Sequence, residues 1–180
     1  MNTRLYKQRC YLAGAMDRVP DRGATWRDDI TPFLISLGVD VFNPLKKPTN
    51  IGTEDSATAE YKKRLKEKED YDSLAKLMKT IRSVDLRMVD ISDFLVVNLD
   101  LNVHPCGTLE EIFWANRQKK PILIHMVQGK RSAPDWLFGT IPHDMIFNSW
   151  TDIKNYLYTI HTSSMNTHLD RWCFFNKEQY

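Results

Sequence analysis

The 180-residue chain has no run of about 18 apolar residues, the length a helix needs to cross a bilayer, so its sequence offers no membrane span. Its opening stretch, MNTRLYKQRCYLAGAM, lacks the apolar centre and small-residue cleavage site of a secretory leader, and a cytoplasmic location is the expectation. Cysteine is scarce: Cys10, Cys106 and Cys173 have no paired spacing, which argues against a disulfide framework or a four-ligand zinc site and for reduced thiols. The glycines form neither Gly-x-Gly-x-x-Gly nor Gly-x-x-x-x-Gly-Lys-Ser/Thr, so dinucleotide and P-loop signatures are absent. No arginine closes a phosphate loop behind Cys106-Gly107, and His104 beside Cys106 is too small a set for a metal. No metal and no organic cofactor are expected. Excess charge is also missing: the formal net charge is +2, too little for a nucleic-acid footprint. The basic run YKKRLKEKED interleaves lysines with acids and reads as a solvated helix face.

What is present is an ordinary globular balance, 42% hydrophobic and 27% charged, with no internal repeat or low-complexity segment. One domain over residues 1–180 is expected, with a polar tail from about residue 161 that carries an aromatic island at Trp172, Phe174 and Phe175. Such an island must be buried, on its own domain or on a neighbouring subunit.

Apolar periodicity supplies the elements. Arg9 to Ala13 reads as a strand entering Gly14, Trp26 to Leu37 as a helix stopped by Gly38, and Val39 to Phe42 as a strand ended by Asn43-Pro44. Lys46 to Ala59 is polar and reads as a surface loop over a site. A helix runs from Tyr71 to about Met88, a strand from Phe94 to Leu99, a helix from about Leu109 to Arg117, and a strand through PILIHMV. Met145 to Trp150 reads as a fifth strand and Ile153 to Ile160 as a last helix. This alternation predicts an α/β sandwich around a mostly parallel sheet of about five strands. Ligands bind such sheets beyond the carboxyl ends of the strands, which singles out the loops Gly14 to Thr25 and Asp100 to Gly107.

Two groups in those loops can carry chemistry. Arg18, Arg22 and Arg27 surround the first helix start and either grip an anion such as a 5′-phosphate or coat the surface. In CGTLEEIFWA, Glu111 follows Gly107, which leaves room for a ligand, and is placed in the first helical turn, where the dipole would keep it ionised. An ionised, held carboxylate can attack an anomeric carbon. The competing reading is a capping box, with Thr108 as cap and Glu111 reaching back to its amide. Residues alone leave these two readings even.

The ordered set YLAGAM, Asn43-Pro44, VDLRMVDISDFLVVNLD, CGTLEEIFWA and KPILI resembles the nucleoside 2-deoxyribosyltransferase family and its relatives that hydrolyse nucleotide N-glycosidic bonds. The resemblance spans Tyr11 to about Ile124 and implies a flavodoxin-like, Rossmann-like fold. It makes Glu111 the nucleophile, Tyr11 the residue that orients it and Asp85 the carboxylate that assists departure of the base, with Glu110 turned to solvent. A third family carboxylate would fall on Pro105, and Asp100 or Asn102 stands in for it after a loop shift. Asp93 heads its strand as a structural residue or contacts substrate directly. The implied partners are a nucleoside or nucleotide and a free nucleobase, in a homo-oligomer, with no nucleic-acid polymer and no membrane. Three functions follow: deoxyribosyl transfer, hydrolysis of a 2′-deoxynucleoside 5′-monophosphate, or nucleotide binding without turnover.

Overall fold

The computed structural model describes residues 4–47, 50–162, 171, 172 and 175. Five strands, β1 (Arg9–Gly14), β2 (Asp40–Phe42), β3 (Phe94–Leu99), β4 (Ile122–Met126) and β5 (Ile146–Phe147), form one parallel sheet in the order β2-β1-β3-β4-β5. Parallel strands covered on both faces must be apolar on both, and FLVVNL and YLA are. Tyr11, Leu12, Ala13 and Phe94 to Val97 are all fully buried.

The chain leaves β1 in one direction to form β2 and later returns to form β3 on the other side of β1. Order therefore reverses between β1 and β3, and right-handed crossovers put the helices of the two halves on opposite faces. The helices are α1 (Ala24–Ser36), α2 (Ser56–Glu67), α3 (Tyr71–Ile91), α4 (Cys106–Arg117), the single turn α5 (Asp135–Phe138) and α6 (Trp150–Thr162). Trp26 of α1 stacks on Trp150 of α6 at 5.4 Å between ring centroids, while α3 packs on α4. The fold class is the α/β sandwich around a parallel sheet that the alternation of elements predicts, in the flavodoxin-like arrangement that the family resemblance implies.

Several boundaries differ from those expected. The fifth strand is only Ile146–Phe147, and Trp150, expected in it, is the first residue of α6. The segment up to Ala59 is not all loop: α2 begins at Ser56 because Asp55 caps it, accepting from the Thr58 amide at 2.7 Å. Helix α4 begins at Cys106, with Pro105 at its cap position and no side-chain cap. Thr108 is therefore a buried residue inside the first turn, and Glu111 stands in the second. The capping box does not form, which removes that rival explanation of Glu111.

The aromatic island, in its described part, is buried on its own domain. Trp172 is fully buried, lies 5.3 Å from Phe94 and 5.5 Å from Phe175 between ring centroids, and donates to the Tyr156 hydroxyl at 2.9 Å. Arg171 adds bonds to Asn116 Oδ1 at 2.7 Å and the Thr140 carbonyl at 2.8 Å. Phe174 and Cys173 lie outside the described residues. No described helix is long and apolar enough to cross a membrane.

Candidate active site

A cavity of about 620 Å³ opens where the sheet order reverses, walled by the loop after β1, by α3 and by the first turns of α4. Gly14 ends β1 beside Asn98 of β3. A Cβ there would stand 2.8 Å from a ring carbon of Trp26 and 3.1 Å from the Asn98 carbonyl oxygen, so only glycine lets the chain turn out of the sheet at this point. A Cβ on Gly107, by contrast, would meet nothing within 4 Å; this is the open wall of the cavity.

Helical spacing delivers the carboxylates. On α3 the buried stripe is Ile81, Asp85, Leu86, Met88 and Val89, so Asp85 occupies a position that periodicity otherwise gives to an apolar residue. On α4, Glu111 precedes buried Ile112 and turns toward β1, where the Tyr11 hydroxyl donates to Glu111 Oε1 at 2.7 Å. Its neighbour Glu110 points elsewhere. It does not simply face solvent, because Arg82 of α3 grips it at the cavity rim, with Nε to Oε2 at 2.8 Å.

The two adjacent glutamates consequently differ in charge. The Arg82 hydrogen bond holds the Glu110 carboxyl below its usual range. Burial pushes Glu111 up to about 8, against the Tyr11 hydrogen bond and Arg27, which favour the charged form, and with the Asp85 and Glu54 carboxyls adding to the rise. Glu111 is thus not kept ionised by the helix dipole: in the second turn, desolvation outweighs it. Burial raises Asp85 to about 6 against the pull of Lys47. Tyr11 is driven well above its usual value by burial and by the Glu111 and Asp85 carboxyls, so it remains a neutral donor.

The expected site residues divide cleanly. Gly14, Arg18, Asp85, Gly107 and Glu111 line the cavity, and Tyr11 reaches it through Glu111. Arg22 lines a neighbouring hollow with Lys47, Glu54 and Asp55. Arg27 neither coats the surface nor faces an anion: it is fully buried and its guanidinium is spent on the carbonyls of Gly14 and Gly23, each at 2.9 Å. Asp100 and Asn102 do not line the cavity. Asp100 accepts from the Asn102 amide at 2.9 Å and from Gln128 Nε2 at 2.5 Å, and borders a separate hollow near Trp26. Asp93 sits at the amino end of β3, opposite the cavity, and Arg9 binds it through the amide at 2.7 Å and the guanidinium at 3.0 and 3.1 Å. These contacts tie the start of β3 to the start of β1.

Lys47 and Glu54, which no periodicity marked, complete the site. Lys47 Nζ stands 2.7 Å from Asp85 Oδ1, 3.2 Å from Glu54 Oε2 and 2.6 Å from the Gly52 carbonyl. The carboxylates of Asp17, Glu54, Asp85, Glu110 and Glu111 line the cavity; Glu54, from the loop before α2, is among them where Asp100 and Asn102 are not. Among the described residues no group of three or more His, Cys, Asp or Glu side chains is placed to hold a metal ion.

A parallel flavodoxin-like domain with a carboxylate-lined cavity at its switch point defines the class. Among solved structures, the chain is similar to the 2-deoxyribosyltransferase from the psychrotolerant bacterium Bacillus psychrosaccharolyticus, with a TM-score of 0.55 and 16% identity over 82% of this chain and 91% of that one. The CMP N-glycosidase BcmB of Clostridium botulinum aligns with a TM-score of 0.48 and 19% identity over 85% of this chain and 99% of that one. The first likeness establishes the shared fold, which agrees with the family that the sequence motifs resemble. No family model matches the chain, and no curated protein matches its sequence.

Proposed function

We propose that the protein cleaves the N-glycosidic bond of a deoxynucleoside or its monophosphate and passes the sugar to a second base through a glycosyl-Glu111 ester. The observation that carries this reading is the 2.7 Å bond from Tyr11 to Glu111 Oε1, made inside a cavity that also presents Asp85. Tyr11 fixes one oxygen of the carboxylate and leaves Oε2 for attack on C1′. As that bond forms, the C1′–N bond breaks, its electron pair goes to the base, and Asp85 gives the leaving base a proton. In the second step a free base attacks C1′, Glu111 departs as carboxylate, and Asp85 recovers a proton from the incoming base. Two displacements retain the anomeric configuration. The chemistry of the enzyme of like fold, a 2-deoxyribosyltransferase, is in keeping with it.

Hydrolysis is the same sequence with water as acceptor, and Arg18 at the cavity rim favours a monophosphate for that variant. The test is chromatography of purified protein with paired deoxynucleosides and 5′-monophosphates, with and without a free acceptor base. Exchange of bases identifies a transferase, base release without exchange a hydrolase, and no release from any substrate a binding module. The reaction needs Asp85 protonated and Glu111 ionised, so kcat/KM is expected to be bell-shaped with limbs near 6 and 8. Below the lower limb both groups hold protons and there is no nucleophile; above the upper one both are charged and there is no acid. Between them the commonest form carries the proton on Glu111, and turnover draws on the minor form that carries it on Asp85.

A further inference from the structure

The most unusual buried group near the site is a cation. Lys47 has 1% of its side chain exposed and is enclosed with Glu54 at 7% and Asp85 at 11%. A lysine is almost never buried this far without partners, since desolvating its ammonium is costly. The ammonium donates to the Gly52 carbonyl and to Glu54 Oε2 and pairs ionically with Asp85 Oδ1 at 2.7 Å, a buried oxygen that accepts no hydrogen bond among the described residues. The triad joins a loop residue just past β2 to the inward face of α3.

We infer that Lys47 is a positioning residue for Asp85, holding that carboxyl in one orientation at the cavity and setting its charge by sharing one ammonium between Asp85 and Glu54. The inference rests on Asp85 acting as the proton donor described above. The Asp85 carboxyl also acts on Tyr11 of β1 and Glu111 of α4, so Lys47 is the cation set beside a cluster of three carboxyls, Asp85, Glu54 and Glu111. Arg82, one turn earlier on α3, is committed to Glu110 and cannot replace it. Without Lys47 the Asp85 proton is held more tightly, because its charged form loses its nearest partner.

The test is a carbon-13 NMR titration of the Asp85 carboxyl in the full chain, its resonance identified by disappearance in Asp85→Asn. The midpoint, near 6 in the wild type, is expected to rise in Lys47→Met by at least about one pH unit and to return most of the way in Lys47→Arg. Glu54→Gln, which frees Lys47 for Asp85 alone, is expected to lower it. A folded Lys47→Met with an unmoved midpoint overturns the inference; should that variant not fold, an unmoved midpoint in Glu54→Gln does so. In turnover, the acidic limb of kcat/KM follows the carboxyl midpoint, and a limb that stays fixed while the midpoint moves overturns the catalytic role. Wild-type protein inert toward every substrate defeats the N-glycosidic reading instead, and leaves the titration to decide whether Lys47 governs Asp85.

Discussion

Asp85 and Asp93 flank the junction of α3 and β3, yet they end at opposite edges of the sheet and in opposite electrostatic conditions. At the amino edge Asp93 is matched by Arg9 in a partly exposed pair with three hydrogen bonds, and the space beside it is sealed by Phe94, Trp172 and Phe175. At the carboxyl edge Asp85, Glu54 and Glu111 share too few cations, and burial drives two of them toward the protonated form. One edge is arranged for stability, with the Asp93 charge matched by Arg9. The other holds carboxyls whose proton can be given or taken near neutral pH, a state that costs stability and suits the proposed proton transfer.

Substitutions at the two edges should therefore separate activity from stability. The largest effect is expected for Glu111→Gln, with kcat lower by at least about 10³-fold. The same variant gains stability in alkali. The native carboxyl keeps its proton up to about 8 while the unfolded one loses it near 4.5, so the wild type is destabilised progressively as pH rises through that window. Glutamine cannot ionise, and chemical denaturation at pH 9 should find the variant more stable by at least about 1 kcal/mol. Equal stability at every pH would mean that Glu111 is not desolvated.

Next comes Trp172→Ala at the other edge, expected to cost about 3 kcal/mol or more by cavity formation while leaving kcat/KM of the folded protein within about twofold. A selective loss of activity would show that the two edges are coupled. Tyr11→Phe removes a hydrogen bond to a charged group and should lower kcat by about 10- to 100-fold, with KM little changed. Because that bond favours the ionised carboxyl, the alkaline limb should also move upward. The smallest effect is expected for Asp93→Asn, about 1 kcal/mol or less, diminishing with added salt and silent in kinetics. Any change in the pH profile of that variant would erase the distinction between the edges.

Much of the fold was legible in the sequence. FLVVNL could only be a strand buried on both faces, and the three- and four-residue recurrence from Tyr71 to Val84 could only be a helix. Asp85, and the pairing of Tyr11 with Glu111, were legible only through the ordered family motifs. The start of α4 was not, because Pro105, Cys106 and Gly107 carry no capping side chain, and the threonine that mimics a cap lies inside the turn. Asp55 with Ser56 did carry a helix-start signal, hidden by the polar segment around it. Lys47 and Glu54 were illegible for a physical reason: their roles come from where an aperiodic loop travels, and no spacing rule encodes that path.

Arg27 leads to a point about how such a domain can change over generations. Its guanidinium, rising from α1, is bonded to the carbonyls of Leu12, Gly14 and Gly23 and lies over the Trp26 ring, so the floor of the β1–α1 connection is moulded largely through backbone oxygens. Backbone oxygens are the same whatever residues carry them. Rim residues such as Arg18 can thereby be exchanged without unmoulding Gly14 beneath them, and under the proposed reaction a preference for one substrate over another would drift while Tyr11 and Glu111 stay fixed.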